Sequence, residues 1–185
     1  KFTGLSKYGR NYHPDGNGII IDSFEADSPY TLIENNICYL NGARGIHVFR
    51  SDNVLVRNNT MYKNCQDPDI QDAEFVAVGQ NITYTNNIAF GTGLTKINRI
   101  GNDEGGVPST ATFSYNLYYN FTTATYGVND LNGNPLFFNE SARDFRVAYN
   151  SPAVNSGNTA NYAAFDYKGV VRPVGGRTDR GAFER

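Results

Sequence analysis

The 185-residue chain has no tryptophan, one methionine, two cysteines and two histidines, and only 18% of its residues are charged. Each shortage excludes something. Two cysteines cannot make a disulfide scaffold, and Cys38 and Cys65 do not align in the repeat described below, which favours free thiols. A net charge of −2 leaves no extended positive field for a phosphate backbone, so nucleic acid is not an expected partner. No run approaches the roughly 20 apolar residues of a bilayer span, so no membrane span is expected, and Lys1-Phe2-Thr3 does not open a secretory signal. Helix formers are scarce too. What the chain has in quantity is Gly (19), Tyr (13), Phe (12) and asparagine, a composition of strands and turns in a length that suits one domain.

Four segments align without gaps: Leu32–Tyr39, Leu55–Tyr62, Thr83–Phe90 and Thr112–Tyr119. Each carries an asparagine at its fifth position, at 36, 59, 87 and 116, so the steps are 23, 28 and 29 residues, one solenoid coil apiece. The preceding residue is also asparagine in three of the four. Asparagine tolerates left-handed backbone, and its amide can bond to the next asparagine in a stack, so the expectation is a bend with an asparagine ladder. After the bend, Ile37, Thr60, Ile88 and Leu117 form one column and Tyr39, Tyr62, Phe90 and Tyr119 a second. Both columns are expected to point inward, with each ring on the next.

A second strand precedes each bend by about half a coil. Gly18–Asp22, Gly45–Phe49 and Glu74–Val78 align, with Ile19, Ile46 and Phe75 inward, then Ile21, Val48 and Ala77. Ile20, His47 and Val76 face outward, followed by Asp22, Phe49 and Val78. Lys96–Ile100 is a candidate next copy. The fold expected is an all-β parallel β-helix, with coils over residues 1–133 and a closing segment over 134–185 in the same domain.

The run from Gly45 to Thr60 resembles the repeats of right-handed parallel β-helix proteins of the pectate-lyase-like superfamily. The tail is similar to the closing segment of many secreted bacterial members: Asn134-Pro-Leu-Phe137, Asp144-Phe-Arg146, Ser151-Pro-Ala153, Asp166 to Pro173 and Asp179 to Glu184. The resemblance implies a secreted or extracellular protein that grips a polysaccharide. It specifies the reaction poorly, because lyases, hydrolases, epimerases, esterases and inactive members share the fold. Because a strand at Gly18 would leave a coil end open, earlier coils, a partner chain or residues 1–17 are expected to cover it.

In such a fold, ligands lie across outward side chains of adjacent coils. Lys7, Arg10, His13, Asp15, Asp22, His47, Arg50 and Asp52 gather around the first two coils, beside Phe49. For β-elimination on an acidic glycan, the leading expectation, Lys7, Arg10 or Arg50 would neutralise a uronate, and His47, or a lysine or arginine whose pKa is lowered by neighbouring cations and partial burial, would take the C5 proton. For hydrolysis, Asp15 and Asp22 would be the carboxyl pair. The catalytic candidates are thus Asp15, Asp22, His47 and Arg50, and the substrate-binding ones Lys7, Arg10, His13, Phe49 and Asp52. Ca²⁺ is a possible cofactor at Asp15 and Asp22, since a hard cation takes several oxygens. The acidic cluster Asp67, Asp69, Asp72 and Glu74 reads as a solvated loop, and Glu34 with Arg57 as a cross-coil ion pair. The competing class is a non-catalytic carbohydrate-binding or structural β-helix. Candidate side chains aligned in a groove favour the enzyme; side chains each bonded to its own turn favour the binder.

Overall fold

The computed structural model describes residues 4–5, 11–12, 16–24, 30–70, 72–101, 106, 108–122 and 127–185. Among them there is no helix, and the strands build a parallel β-solenoid of about three turns. A short antiparallel pair, β1 (Gly4–Leu5) and β2 (Asn11–Tyr12), stands first. Three parallel sheets follow. The first contains β3 (Ile19–Asp22), β6 (Ile46–Phe49), β9 (Ala73–Ala77) and β12 (Lys96–Ile100). The second contains β4 (Thr31–Glu34), β7 (Val54–Arg57), β10 (Ile82–Thr85) and β13 (Ala111–Ser114). The third contains β5 (Ile37–Tyr39), β8 (Thr60–Tyr62), β11 (Ile88–Phe90), β14 (Leu117–Tyr119) and β15 (Leu131–Asn132). Each strand pairs with its equivalent one coil away in the register read from the sequence, Ile19 with Ile46 with Phe75 and Ile37 with Thr60 with Ile88. Lys96–Ile100 is the fourth copy, with Asn98 beside Phe75.

One core fills the coils. Ile46, Val48, Phe75 and Ala77 enter it from the first sheet, and Ile33, Val54, Val56, Ile82, Tyr84 and Phe113 from the second. Tyr84 stacks on Phe113 at 5.0 Å and 8°. The third sheet contributes Cys38, Met61, Ala89 and Tyr118, which inverts the expected facing of that sheet. The columns Ile37/Thr60/Ile88/Leu117 and Tyr39/Tyr62/Phe90/Tyr119 point out of the solenoid. The ladder asparagine sets this parity: its amide lies inside the stack, so the next residue faces out and the one after faces in.

Those outward columns are apolar because the tail lies on them. Ile88 and Leu117 pack with Val147 and Ala153, and Tyr62 and Phe90 pack with Phe145. The antiparallel hairpin of β16 (Phe137–Asn139) and β17 (Asp144–Val147) supplies much of this cover. Tyr62 meets Phe90 at 5.1 Å and Phe145 at 4.9 Å, and Phe90 meets Tyr119 at 4.9 Å. The expected stack of four rings does not start at the first coil. Tyr39 is 36% exposed and touches Phe145 at 5.7 Å.

Each bend divides its work between two residues. The first adopts positive φ at Asn35 (58°), Asn58 (52°), Asn86 (56°) and Tyr115 (55°). The second builds the ladder. Both the backbone N–H and the side-chain amide of Asn36 donate to Asn59 Oδ1, at 2.9 and 3.0 Å, and Asn59 does the same to Asn87 and Asn87 to Asn116. The series ends on Asp130 Oδ1. A second ladder, not foreseen from the sequence, runs from Asn41 to Asn64 Oδ1 and ends on the Glu74 carboxylate.

The first residues of the bends hold the tail. Asn35 donates to the Phe165 carbonyl and Asn58 to that of Asp179, while Asn58 Oδ1 accepts from Ala163 N–H. Asn86 bonds to Asn158 and Asn161. Within the tail, Arg172 and Glu184 form a fully buried ion pair at 2.8 Å, with Thr178 and Asp179 N–H on the same carboxylate.

Candidate binding surfaces

The outer face of the first sheet carries the described members of the sequence-derived site. Ile20 pairs with His47 and Asp22 with Phe49, so Asp22 and His47 are one coil and two residues apart on the same face. Their surroundings differ. Asp22 is exposed and accepts a hydrogen bond from Ser23 Oγ at 2.8 Å. His47 is only 6% exposed and lies 5.4 Å from the Phe49 ring. Val76 and Val78, next in these outward columns, are buried with Ala73, and Phe49 packs on them. The face is therefore an apolar seam at its centre, where an open groove was expected. Arg50 lies over Phe49 at 4.7 Å, and Asp52 Oδ1 accepts the Gln80 N–H at 2.7 Å. Lys7, Arg10, His13 and Asp15 lie outside the described residues.

The ion pair of Glu34 with Arg57 is present at 2.8 Å, and Cys38 and Cys65 are free and buried, their thiols pushed up to about 12 chiefly by burial. The acidic cluster is the expected solvated loop only in its first half, where Asp69 is exposed. Asp72 pairs with Arg44 at 2.7 Å, and Glu74 is fully buried beneath the second ladder. Burial pushes the Glu74 carboxyl up to about 7, against the pull of its two bonds from Asn64. Among the described residues no group of three or more His, Cys, Asp or Glu side chains is arranged to hold a metal ion.

Two surfaces were not anticipated. One is a set of three pairs in which a tail arginine sits over an exposed ring: Arg143 over Tyr39 of β5 at 5.0 Å, Arg146 over Phe138 at 5.3 Å and Arg185 over Tyr149 at 5.9 Å. Phe138 is 66% and Tyr149 81% exposed. Arg146 is also tied to Asp144, with Nε to Oδ1 at 2.8 Å, which holds that carboxyl below its ordinary value. The sequence signal was Phe138 and Arg146 on opposite strands of a hairpin, invisible until the pairing of β16 with β17 was known.

The other surface is a groove of about 980 Å³ between the first coil and the tail hairpin. Its floor is Asn36, Ile37, Cys38, Tyr39, Leu40 and Asn41, and its far wall runs from Ala142 to Arg146 with Lys168 and Phe183. Among the described residues, strand β5 lies at the edge of its sheet and pairs with β8 alone.

Compared with protein-family models the chain matches none, and compared with curated proteins it has no significant relative.

Proposed function

We propose that this chain is a carbohydrate-binding β-helix of the right-handed, pectate-lyase-like kind, acting outside the cell on an acidic glycan that it grips without cleaving. The observation that carries this reading is the set of ring and arginine pairs on the tail. Each ring has one face under its arginine; the other can stack on the apolar face of a sugar, and the guanidinium can pair with a uronate carboxylate. Repetition of the unit over Tyr39, Phe138 and Tyr149 suits a ligand longer than one sugar.

The lyase and hydrolase readings receive less support. β-Elimination needs a base beside an exposed uronate C5, and the histidine offered for it is buried. Hydrolysis needs two carboxyls across a cleft; of the pair Asp15 and Asp22, Asp15 lies outside the described residues and Asp22 accepts a hydrogen bond from its own neighbour Ser23. Side chains engaged in this way mark the binding class.

The test is calorimetric titration with an oligouronate and with its carboxyl-reduced, neutral counterpart, alongside absorbance readings for unsaturated products. The expected result is salt-sensitive binding of the acidic sugar only. Binding should weaken about tenfold or more in the double variant Arg143→Ala with Arg146→Ala, with no product formed. Steady release of unsaturated product would replace the binding reading with the lyase.

A further inference from the structure

We infer that Asp144 is a positioning residue for acidic sugars: it clamps the Arg146 guanidinium at the Phe138 ring and leaves one edge of it open to a ligand carboxylate. The role rests on the binding reading above and gives that reading a receptor with named atoms. Strand parity sets the arrangement. In β17 Phe145 and Val147 are buried, so Asp144 and Arg146 share the outward face two residues apart. Phe137 pairs with Val147 across the hairpin, which brings Phe138 opposite Arg146 on that face. Arg146 thus stands between a ring and a carboxylate, its Cζ 5.3 Å from the Phe138 centroid and its Nε 2.8 Å from Asp144 Oδ1.

The bonding pattern decides which edge is left. A guanidinium carries one N–H on Nε and two on each Nη, and two of its edges present a fork that fits a carboxylate. Asp144 takes the edge formed by Nε and Nη2. Nη1 donates to no described residue, so the edge made by Nη1 and the remaining Nη2 hydrogen is open. Asp144 is itself held, because its Oδ1 also accepts the Arg146 backbone N–H at 3.2 Å. Of the three arginines over rings, Arg146 alone has its guanidinium bonded to a carboxylate among the described residues. Its side chain is 49% exposed. A long exposed side chain loses rotamer freedom when it grips a ligand, and one already clamped loses less.

Charge and position make opposite demands on Asp144. As an anion beside the site it repels a uronate, so on charge alone its removal tightens binding. As a clamp it orders the receptor, so its removal weakens binding. The geometry favours the clamp, because the ligand edge of the guanidinium is open with Asp144 in place and a uronate need not displace it.

The experiment titrates the whole chain with an oligouronate by calorimetry, as the parent, Asp144→Ala, Asp144→Glu, Arg146→Ala and the double variant Asp144→Ala with Arg146→Ala. Asp144→Ala should bind about three- to tenfold more weakly than the parent, the range for one side chain newly immobilised. Asp144→Glu keeps the charge but moves the carboxylate by one methylene, and should also bind more weakly. In the Arg146→Ala background, Asp144→Ala should change affinity by less than about twofold, because the clamp acts only through the arginine. A general role in holding the hairpin would weaken binding in both backgrounds. A readout without ligand comes from NMR of the arginine side chains, where the Arg146 Nε–H should be ordered in the parent and mobile in Asp144→Ala. Binding by Asp144→Ala as tight as the parent's or tighter, full affinity in Asp144→Glu, or an equal loss in the Arg146→Ala background would each overturn the inference while leaving the binding reading in place. So would an Nε–H equally mobile in both proteins. A parent that binds no oligouronate would overturn the binding reading and the sugar role of the clamp together.

Discussion

The backbone N–H and the side-chain amide of Asn116 donate to the same oxygen of Asp130, at 2.6 and 3.3 Å, and Gly127 N–H donates to the other oxygen at 2.7 Å. An asparagine ladder has a direction, with donors at one side of each coil and an acceptor at the other. A carboxylate can end it without leaving a buried N–H unpaired, because it accepts on both oxygens and donates nothing. Asp130 does so for the long ladder and, above about pH 7, Glu74 for the short one.

Replacing Asp130 with Asn tests this. One amide oxygen would still serve Asn116, but the new NH₂ would face the Gly127 N–H, donor against donor. Urea unfolding should show a loss of about 1–3 kcal/mol, the range for a hydrogen bond broken at a buried group. Asp130→Ala should lose more, since Asn116 would be left without its acceptor. A variant as stable as the parent would mean that the terminus of the ladder is solvated and carries no weight.

Glu74 gives the short ladder a pH dependence. Its carboxyl has an ordinary value of 4.5 and is raised to about 7 by burial. The folded chain thus holds the proton more tightly than the unfolded chain, and this site favours folding at low pH. Its contribution falls as pH rises from about 4.5 to about 7 and is constant above that, a change on the order of 3 kcal/mol. Asp179, raised to about 6 chiefly by burial, acts in the same direction. Unfolding free energies taken between pH 5 and 7.5 should decline for the parent and decline less for Glu74→Gln. The variant should be the less stable of the two at pH 5, because its NH₂ faces that of Asn64. Equal slopes would place the titration elsewhere.

The solenoid was legible because asparagine, inward aliphatics and coil length repeat together, and every strand register read from those repeats is present. The facing of the third sheet was not. A strand with one wet face alternates apolar and polar, but β8 and β11 are buried on both faces, so Thr60, Met61 and Tyr62 give no parity. Only the ladder residue before each strand fixes it, and only once its amide is known to point inward. The tail's role was hidden for a related reason. Its contacts with the coils run through the carbonyls and N–H groups of residues such as Ala163, Phe165 and Asp179, which leave no mark on side-chain pattern. Of the described site candidates, Asp22 and His47 share a face as read, but outward position on a strand does not imply exposure, as His47 beside Val76 shows.

The last prediction separates the two tasks of the first asparagine in a bend. Asn58 sits at a φ of 52° and holds the tail through its side chain, donating to the Asp179 carbonyl at 3.1 Å and accepting from Ala163 N–H at 2.9 Å. Glycine takes positive φ without penalty, so Asn58→Gly should remove only the two tail contacts, about 1–3 kcal/mol in all. Alanine removes the same contacts and also resists the left-handed backbone, by roughly 1–2 kcal/mol. Asn58→Ala should therefore be the less stable variant by about that margin in urea unfolding, although alanine is the stiffer residue in the unfolded chain. In both variants, amide exchange should quicken first in the segment around Ala163 and Asp179, because the bonds lost are those that tie the tail to the coils. If the two substitutions prove equally destabilising, the positive φ at this bend carries no strain and Asn58 serves the tail alone.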